Sequence, residues 1–217
     1  MNKTTLSTLW LLLGATLLQA QTYGAPPYAP PYHTTPSLYI GVAASSVDLR
    51  NMWDDGYDMY HDQYDQNALT LIGGIELSPN LAIESRYMIS SGDAQYEDLY
   101  GLSSPKSFNN DFENTAIYLK PLLPMGYTGW TLYGLLGYGQ TSYHYENTNT
   151  IYPAIKASGF QYGVGSSFAL TQYMEFFIDY TVLAKDDGVQ HISSGSYADD
   201  VWDVEGHSIH FGVTFRF

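Results

Sequence analysis

The sequence predicts an all-β fold: an eight-stranded antiparallel transmembrane β-barrel in up-and-down meander order. Three observations predict it. Segments of about ten residues with alternating apolar and polar side chains recur from residue 38 to the end. The connections between them are alternately short and long. After the first twenty residues, no stretch is apolar for the ~20 residues that a membrane helix needs, so a membrane-bound chain must cross as a closed sheet.

Composition agrees. The chain has 217 residues, enough for one domain and a targeting segment. Its 21 Tyr and 20 Gly favour β structure. Mean hydropathy is −0.18, too low for a helical membrane bundle. The formal net charge of −14 has the wrong sign for a nucleic-acid binder. With no cysteine, lipoprotein anchoring, disulfides, thiolate metal sites and thiol catalysis are excluded together.

The elements follow in order. Residues 1–20 read as a signal peptide. Lys3 supplies the positive start, Trp10 through Leu18 the apolar stretch, and Leu18-Gln19-Ala20 the small residue at the cut, which is expected before Gln21. The apolar stretch is too short to remain as an anchor. Residues 21–36, QTYGAPPYAPPYHTTP, form a Pro/Tyr-rich leader, because proline cannot feed a sheet ladder. Residues 37–217 are the barrel.

Its strands are expected at 38–49, 68–77, 80–89, 113–122, 130–145, 157–170, 173–183 and 206–217. Three short turns lie at Ser78-Pro79-Asn80, around Pro124-Met125-Gly126, and at Thr171-Gln172. Four long acidic connections lie at about 50–67, 90–112, 146–156 and 184–205. Such an alternation leaves both chain ends on the short-turn side.

The last strand shows the facing most clearly. Ile209, Phe211, Val213, Phe215 and Phe217 fall on one face; Ser208, His210, Gly212, Thr214 and Arg216 fall on the other. A membrane barrel turns the apolar face to lipid. A soluble barrel, the runner-up, would turn those Phe residues into its core. The polar faces carry both signs: Glu76, Glu84, Glu175 and Asp179 against Arg86, Lys120 and Arg216. With His210, these residues are expected to fill a narrow lumen as an ion-pair and hydrogen-bond network. Gly41, Gly74, Gly137, Gly163, Gly165 and Gly212 would make room for the long side chains. Tyr39, Tyr87, Tyr118, Trp130, Tyr143 and Tyr180 are expected at segment ends or on the lipid face, where a ring with a polar tip is at home.

With these residues in hand, residues 37–217 resemble the small outer-membrane β-barrel superfamily, which includes OmpA-type transmembrane domains and OmpX/Ail-type proteins. The most specific part is His210-Phe211-Gly212-Val213-Thr214-Phe215-Arg216-Phe217, which looks like the terminal strand that the barrel-assembly machinery reads; Gly212, Phe215 and Phe217 match its pattern. Leu38-Tyr39-Ile40-Gly41-Val42, Glu84-Ser85-Arg86-Tyr87 and the Gly-rich stretches 132–139 and 159–165 recur in family-like order. The resemblance implies the outer membrane of a Gram-negative cell, of the broad porin-like type. It also implies contact with membrane lipid and lipopolysaccharide, and extracellular loops open to a ligand. It brings no peptidoglycan-binding domain.

Chemistry beyond this is weakly marked. Five aspartates at 54, 55, 58, 62 and 65 could face a divalent cation, but their spacing matches no EF-hand and a solvated acidic loop is the commoner meaning. Asp186, Asp187, Asp199, Asp200, Asp203 and Glu205 carry the same ambiguity. Some small barrels are lipid-modifying or proteolytic enzymes, and His191 with Ser193 or Ser194, or Asp residues near His61, could be read that way. Nothing fixes a nucleophile, base and orienting group at one place. The sequence therefore assigns no catalytic, cofactor or metal residue. It points to a structural or surface-interaction barrel, with a narrow ion or small-solute pore, or less so an enzyme, as the alternatives.

Overall fold

The computed structural model describes residues 36–54, 59–91, 94–98, 106–108, 110–126, 128–147, 150–151, 155–183, 186–190 and 201–217. The expected signal peptide and all but the last residue of the leader lie outside them. Eight long strands form the wall: β1 (Ser37–Asp54), β2 (Met59–Ser78), β3 (Leu81–Ser90), β4 (Asn110–Pro124), β5 (Trp130–Asn147), β6 (Ile155–Ala169), β7 (Met174–Val182) and β8 (Val201–Arg216). Four short strands, Ala94–Asp98, Lys106–Phe108, Thr150–Ile151 and Asp186–Gln190, lie in the connections.

Each long strand pairs antiparallel with the next. The sheet closes because β8 also pairs with β1, from Tyr39↔Arg216 to Asp54↔Val201. Phe217 N–H completes the seam by donating to the Leu38 carbonyl at 2.9 Å. Closure leaves no barrel edge with unpaired backbone groups, a requirement in lipid.

The short turns are built from their own side chains. Thr171 Oγ1 accepts from the Met174 N–H at 3.0 Å, and Asn80 Nδ2 reaches the Leu122 carbonyl at 3.1 Å. Between β4 and β5, Gly126 and Gly129 take φ of 62° and 78°, a left-handed region that only glycine enters cheaply.

The long connections are less loop-like than the sequence suggested. The β1–β2 hairpin stays paired from Arg50↔Gln63 to Asp54↔Met59, so most of 50–67 is strand. Ala94–Asp98 then adds to β2 beyond the end of β3. Residues 50–64 lack the strict apolar–polar alternation of the earlier segment, so the sequence does not mark a strand there although the backbone ladder continues.

Polarity is inverted relative to a water-soluble barrel. Outward side chains include Leu38, Ile40, Val42, Leu71, Ile117, Leu119, Leu136, Val164, Ile209 and Phe211, all exposed. Inward ones include Glu84, Arg86, Lys120, Asp179, His210 and Gln161, all buried. An exposed apolar surface running round the whole wall is stable only against lipid.

Candidate functional site

Side chains fill the described middle of the lumen, and period two decides which ones. Alternate residues of β3 send Ala82, Glu84, Arg86 and Met88 inward at successive heights. The same parity brings in Lys120 and Tyr118 from β4, Tyr133 from β5, Asp179 from β7 and His210 from β8.

At mid-height these residues form one charge-paired cluster. Arg86 donates through both terminal nitrogens to Asp179, at 2.9 and 2.8 Å, and through Nε to Glu84 Oε1 at 2.7 Å. Lys120 Nζ and Tyr39 Oη donate to Glu84 Oε2 at 2.6 and 2.7 Å. Tyr133 Oη donates to Asp179 Oδ2 at 2.8 Å. Two carboxylates thus face two cations, and both carboxylates also accept a phenol. Arg86 is 3% exposed and Glu84 0%, so neither has bulk water as a partner. Aromatic faces complete the cage: the Arg86 guanidinium lies 5.6 Å from the Tyr118 ring centre and 5.9 Å from that of Phe177, and Lys120 Nζ lies 4.2 Å from that of Tyr133.

A second group lines a pocket at the short-turn end. Arg216 pairs with Glu76, and with Glu175 at 3.4 Å, and Ser37 Oγ donates to Glu76 at 3.3 Å. The eight residues expected as one network therefore divide. Glu84, Arg86, Lys120 and Asp179 form the centre. Glu76, Glu175 and Arg216 form the half-buried end. His210 lies opposite Asp179 on the neighbouring strand, 4.0 Å from it, with Ser45 Oγ 2.7 Å from its Nδ1 and Ser208 Oγ 2.8 Å from its Nε2.

Beyond His210, towards the long connections, the filling changes character. Asn114 donates to Thr141 at 2.7 Å. Val47, Leu49, Ala68, Met88, Phe112 and Leu183 then pack into an apolar layer, each buried. This layer was not anticipated from the sequence. Leu49 and Val47 share the inward parity of Ser45, which was the available signal.

Two of the expected boundary aromatics are corrected. Tyr39 and Tyr118 are not at the lipid surface: they are 5% and 2% exposed and point inward, Tyr118 donating to Gln161 Oε1 at 2.6 Å. Their parity, two residues from Gly41 and from Lys120, outranks the general preference of tyrosine for an interface. Glycines paired with such inward rings on the neighbouring strand make room for them: a Cβ at Gly74 would collide with the Tyr39 ring, and one at Gly165 with that of Tyr133. Tyr87, Trp130 and Tyr180 do lie on the outer wall, and the side chain of Tyr143 is outside the described residues.

His191, Ser193 and Ser194 lie outside the described residues, as do the side chains at 54, 55, 58, 61 and 62. Among the described residues, no three His, Asp or Glu side chains converge as metal ligands.

No curated protein matches the chain by sequence. Solved structures match its fold. Ail of Yersinia pestis, in complex with the heparin analogue sucrose octasulfate, is 16% identical with a TM-score of 0.53, over 85% of this chain and 100% of that one. OprG of Pseudomonas aeruginosa is 15% identical with a TM-score of 0.59, over 86% and 98%. AlkL in lipid bilayers is 13% identical with a TM-score of 0.59, over 90% and 96%. At these identities the likeness is one of fold. The family described as outer membrane protein beta-barrel domain matches residues 8–217. The chain, a closed eight-stranded barrel with an apolar wall and a charged lumen, belongs to the outer membrane protein beta-barrel domain family.

Proposed function

We propose that the protein is a structural, surface-presenting barrel of the outer membrane, without a catalytic role, whose lumen serves as a packed strut and not as a channel. The observation that carries this reading is the central cluster. Arg86 bridges Glu84 on its own strand and Asp179 on a distant strand through three hydrogen bonds, all buried. Opening an aqueous path there would separate paired charges that also hold the walls together. The apolar layer of Val47, Leu49, Met88 and Phe112 stands in series with it and disfavours a continuous water column.

The short-turn end faces the periplasm, and the paired hairpins project from the cell. The working surface is then the set of acidic connections. Ail was solved with a polyanion bound. This chain carries 22 acidic against 8 basic residues, a charge suited to cationic or neutral partners and poorly suited to a polyanion. Gly212, Phe215 and Phe217 are proposed as the part of β8 that the assembly machinery reads.

Planar-bilayer conductance tests the reading. Reconstituted protein should give no sustained openings, and Glu84→Ala should remain silent because the apolar layer persists. Stable single-channel steps from the unaltered protein would overturn it and favour the narrow-pore alternative.

A further inference from the structure

The outer wall is not uniform. On the side formed by β4 to β8 it carries a shallow concave groove, floored where Gly134 and Ser166 face outward and where Pro121 adjoins them. Leu123 and Leu132 form its lower margin; Val164, Tyr180 and Ile209 form its upper one. Two features of the sequence create the depression. Gly134 and Ser166 offer little side chain at positions where the same face elsewhere carries Leu136, Tyr138, Phe160 or Tyr162. Pro121 interrupts the ladder: β4 pairs with β5 up to Leu119↔Leu136 and resumes only at Leu122↔Tyr133. The Leu122 N–H points to the other neighbour, donating to the Asn80 carbonyl, so the adjacent position 121 turns its backbone towards β5. Proline has no N–H to give Gly134 there, and a proline inside a sheet is ordinarily confined to edges and bulges.

We infer that this groove is a seat for one acyl chain of a phospholipid of the inner, periplasmic leaflet. Lipid is the occupant because the groove is continuous with the exposed apolar belt on every side and is lined almost wholly by carbon. The row from Pro121 on β4 to Ile209 on β8 crosses four strand spacings, roughly 19 Å. The leaflet follows from position. The groove begins at Leu123 and Leu132, beside the short turn that carries Trp130, and rises from there towards mid-wall. Trp130, packed 5.1 Å from Phe168, stands at the level of the headgroup.

Native mass spectrometry of the barrel, folded in mixed phospholipid and lipopolysaccharide bilayers and transferred to detergent, tests this. The unaltered protein should retain one phospholipid. Gly134→Leu and Ser166→Leu, which fill the floor from two strands, should lose it while keeping the heat-modifiable gel shift of a folded barrel. Gly73→Leu, an outward glycine on β2 across the barrel, should retain it. A photoreactive phospholipid on the unaltered protein should label residues 130–136 and 160–168 above the rest of the wall, an arm that needs no variant. Equal retention in all variants, even labelling round the barrel, retention of lipopolysaccharide instead, or a protein dimer that Gly134→Leu dissolves would each overturn the assignment.

Discussion

Arg86 is the residue on which the interior depends. Its guanidinium holds carboxylates from two strands, one of them 93 positions away in sequence. Removing it leaves Glu84 with Lys120 and the Tyr39 phenol, and Asp179 with no cation in hydrogen-bonding range among the described residues. Breaking a buried pair by deleting one partner costs about 3–5 kcal/mol, because an uncompensated charge stays behind. Arg86→Ala should therefore lose about that much in equilibrium urea unfolding of the reconstituted barrel. Arg86→Met with Asp179→Leu, which removes both charges of the bidentate pair, should lose less than Arg86→Ala. If Arg86→Ala unfolds at the same urea concentration as the unaltered protein, the cluster does not support the wall. A steric counterpart lies at Gly165, where a Cβ would meet the Tyr133 ring and the Asp179 Cβ. Gly165→Val should cost about 1–3 kcal/mol in the same assay, typical of overpacking a filled interior.

At the scale of the strand, closure is the decisive event, and β8 carries it. Val213 pairs with Val42 across the seam while its other neighbour, Phe176, belongs to β7. Val213→Pro removes a ladder donor from a strand paired on both sides, so the fraction migrating as folded barrel in an unheated gel should fall sharply. Val213→Thr, which keeps the donor and the branched shape, should fold at near-normal yield; failure of both would assign the defect to the outward side chain. Strand count, meander order and the facing of the charged residues were legible in the sequence, because side-chain period two is strict wherever one face meets lipid and the other does not. Glu84, Arg86 and Asp179 were placed inward on that ground alone. Their partition from Glu76, Glu175 and Arg216 was not legible, since it depends on registers between strands that no single segment encodes. Tyr39 and Tyr118 were misplaced because a residue-type preference was set above parity. The pairing beyond Arg50 was not legible because residues 50–64 do not alternate strictly between apolar and polar.

For the molecule as a whole, the claim that separates it from a soluble barrel is which solvent touches its wall. Leu136 and Gln140 settle this within one strand. Both face outward on β5 and both are exposed, but Leu136 lies within the apolar belt and Gln140 lies two outward positions nearer the rim, bonded to Ser158 at 3.1 Å. In lipid, an arginine on the wall costs roughly 2–4 kcal/mol at mid-bilayer and about 0–1 near an interface. Leu136→Arg should accordingly destabilise the barrel in phospholipid vesicles by several times more than Gln140→Arg, and the gap should persist in high salt because it arises from desolvation, not from pairing. In water the order would reverse: an exposed Leu136 would be a liability, and arginine there would leave stability unchanged while improving solubility. A depth-independent cost for the two substitutions would mean that the apolar wall is covered by something other than the hydrocarbon of a membrane.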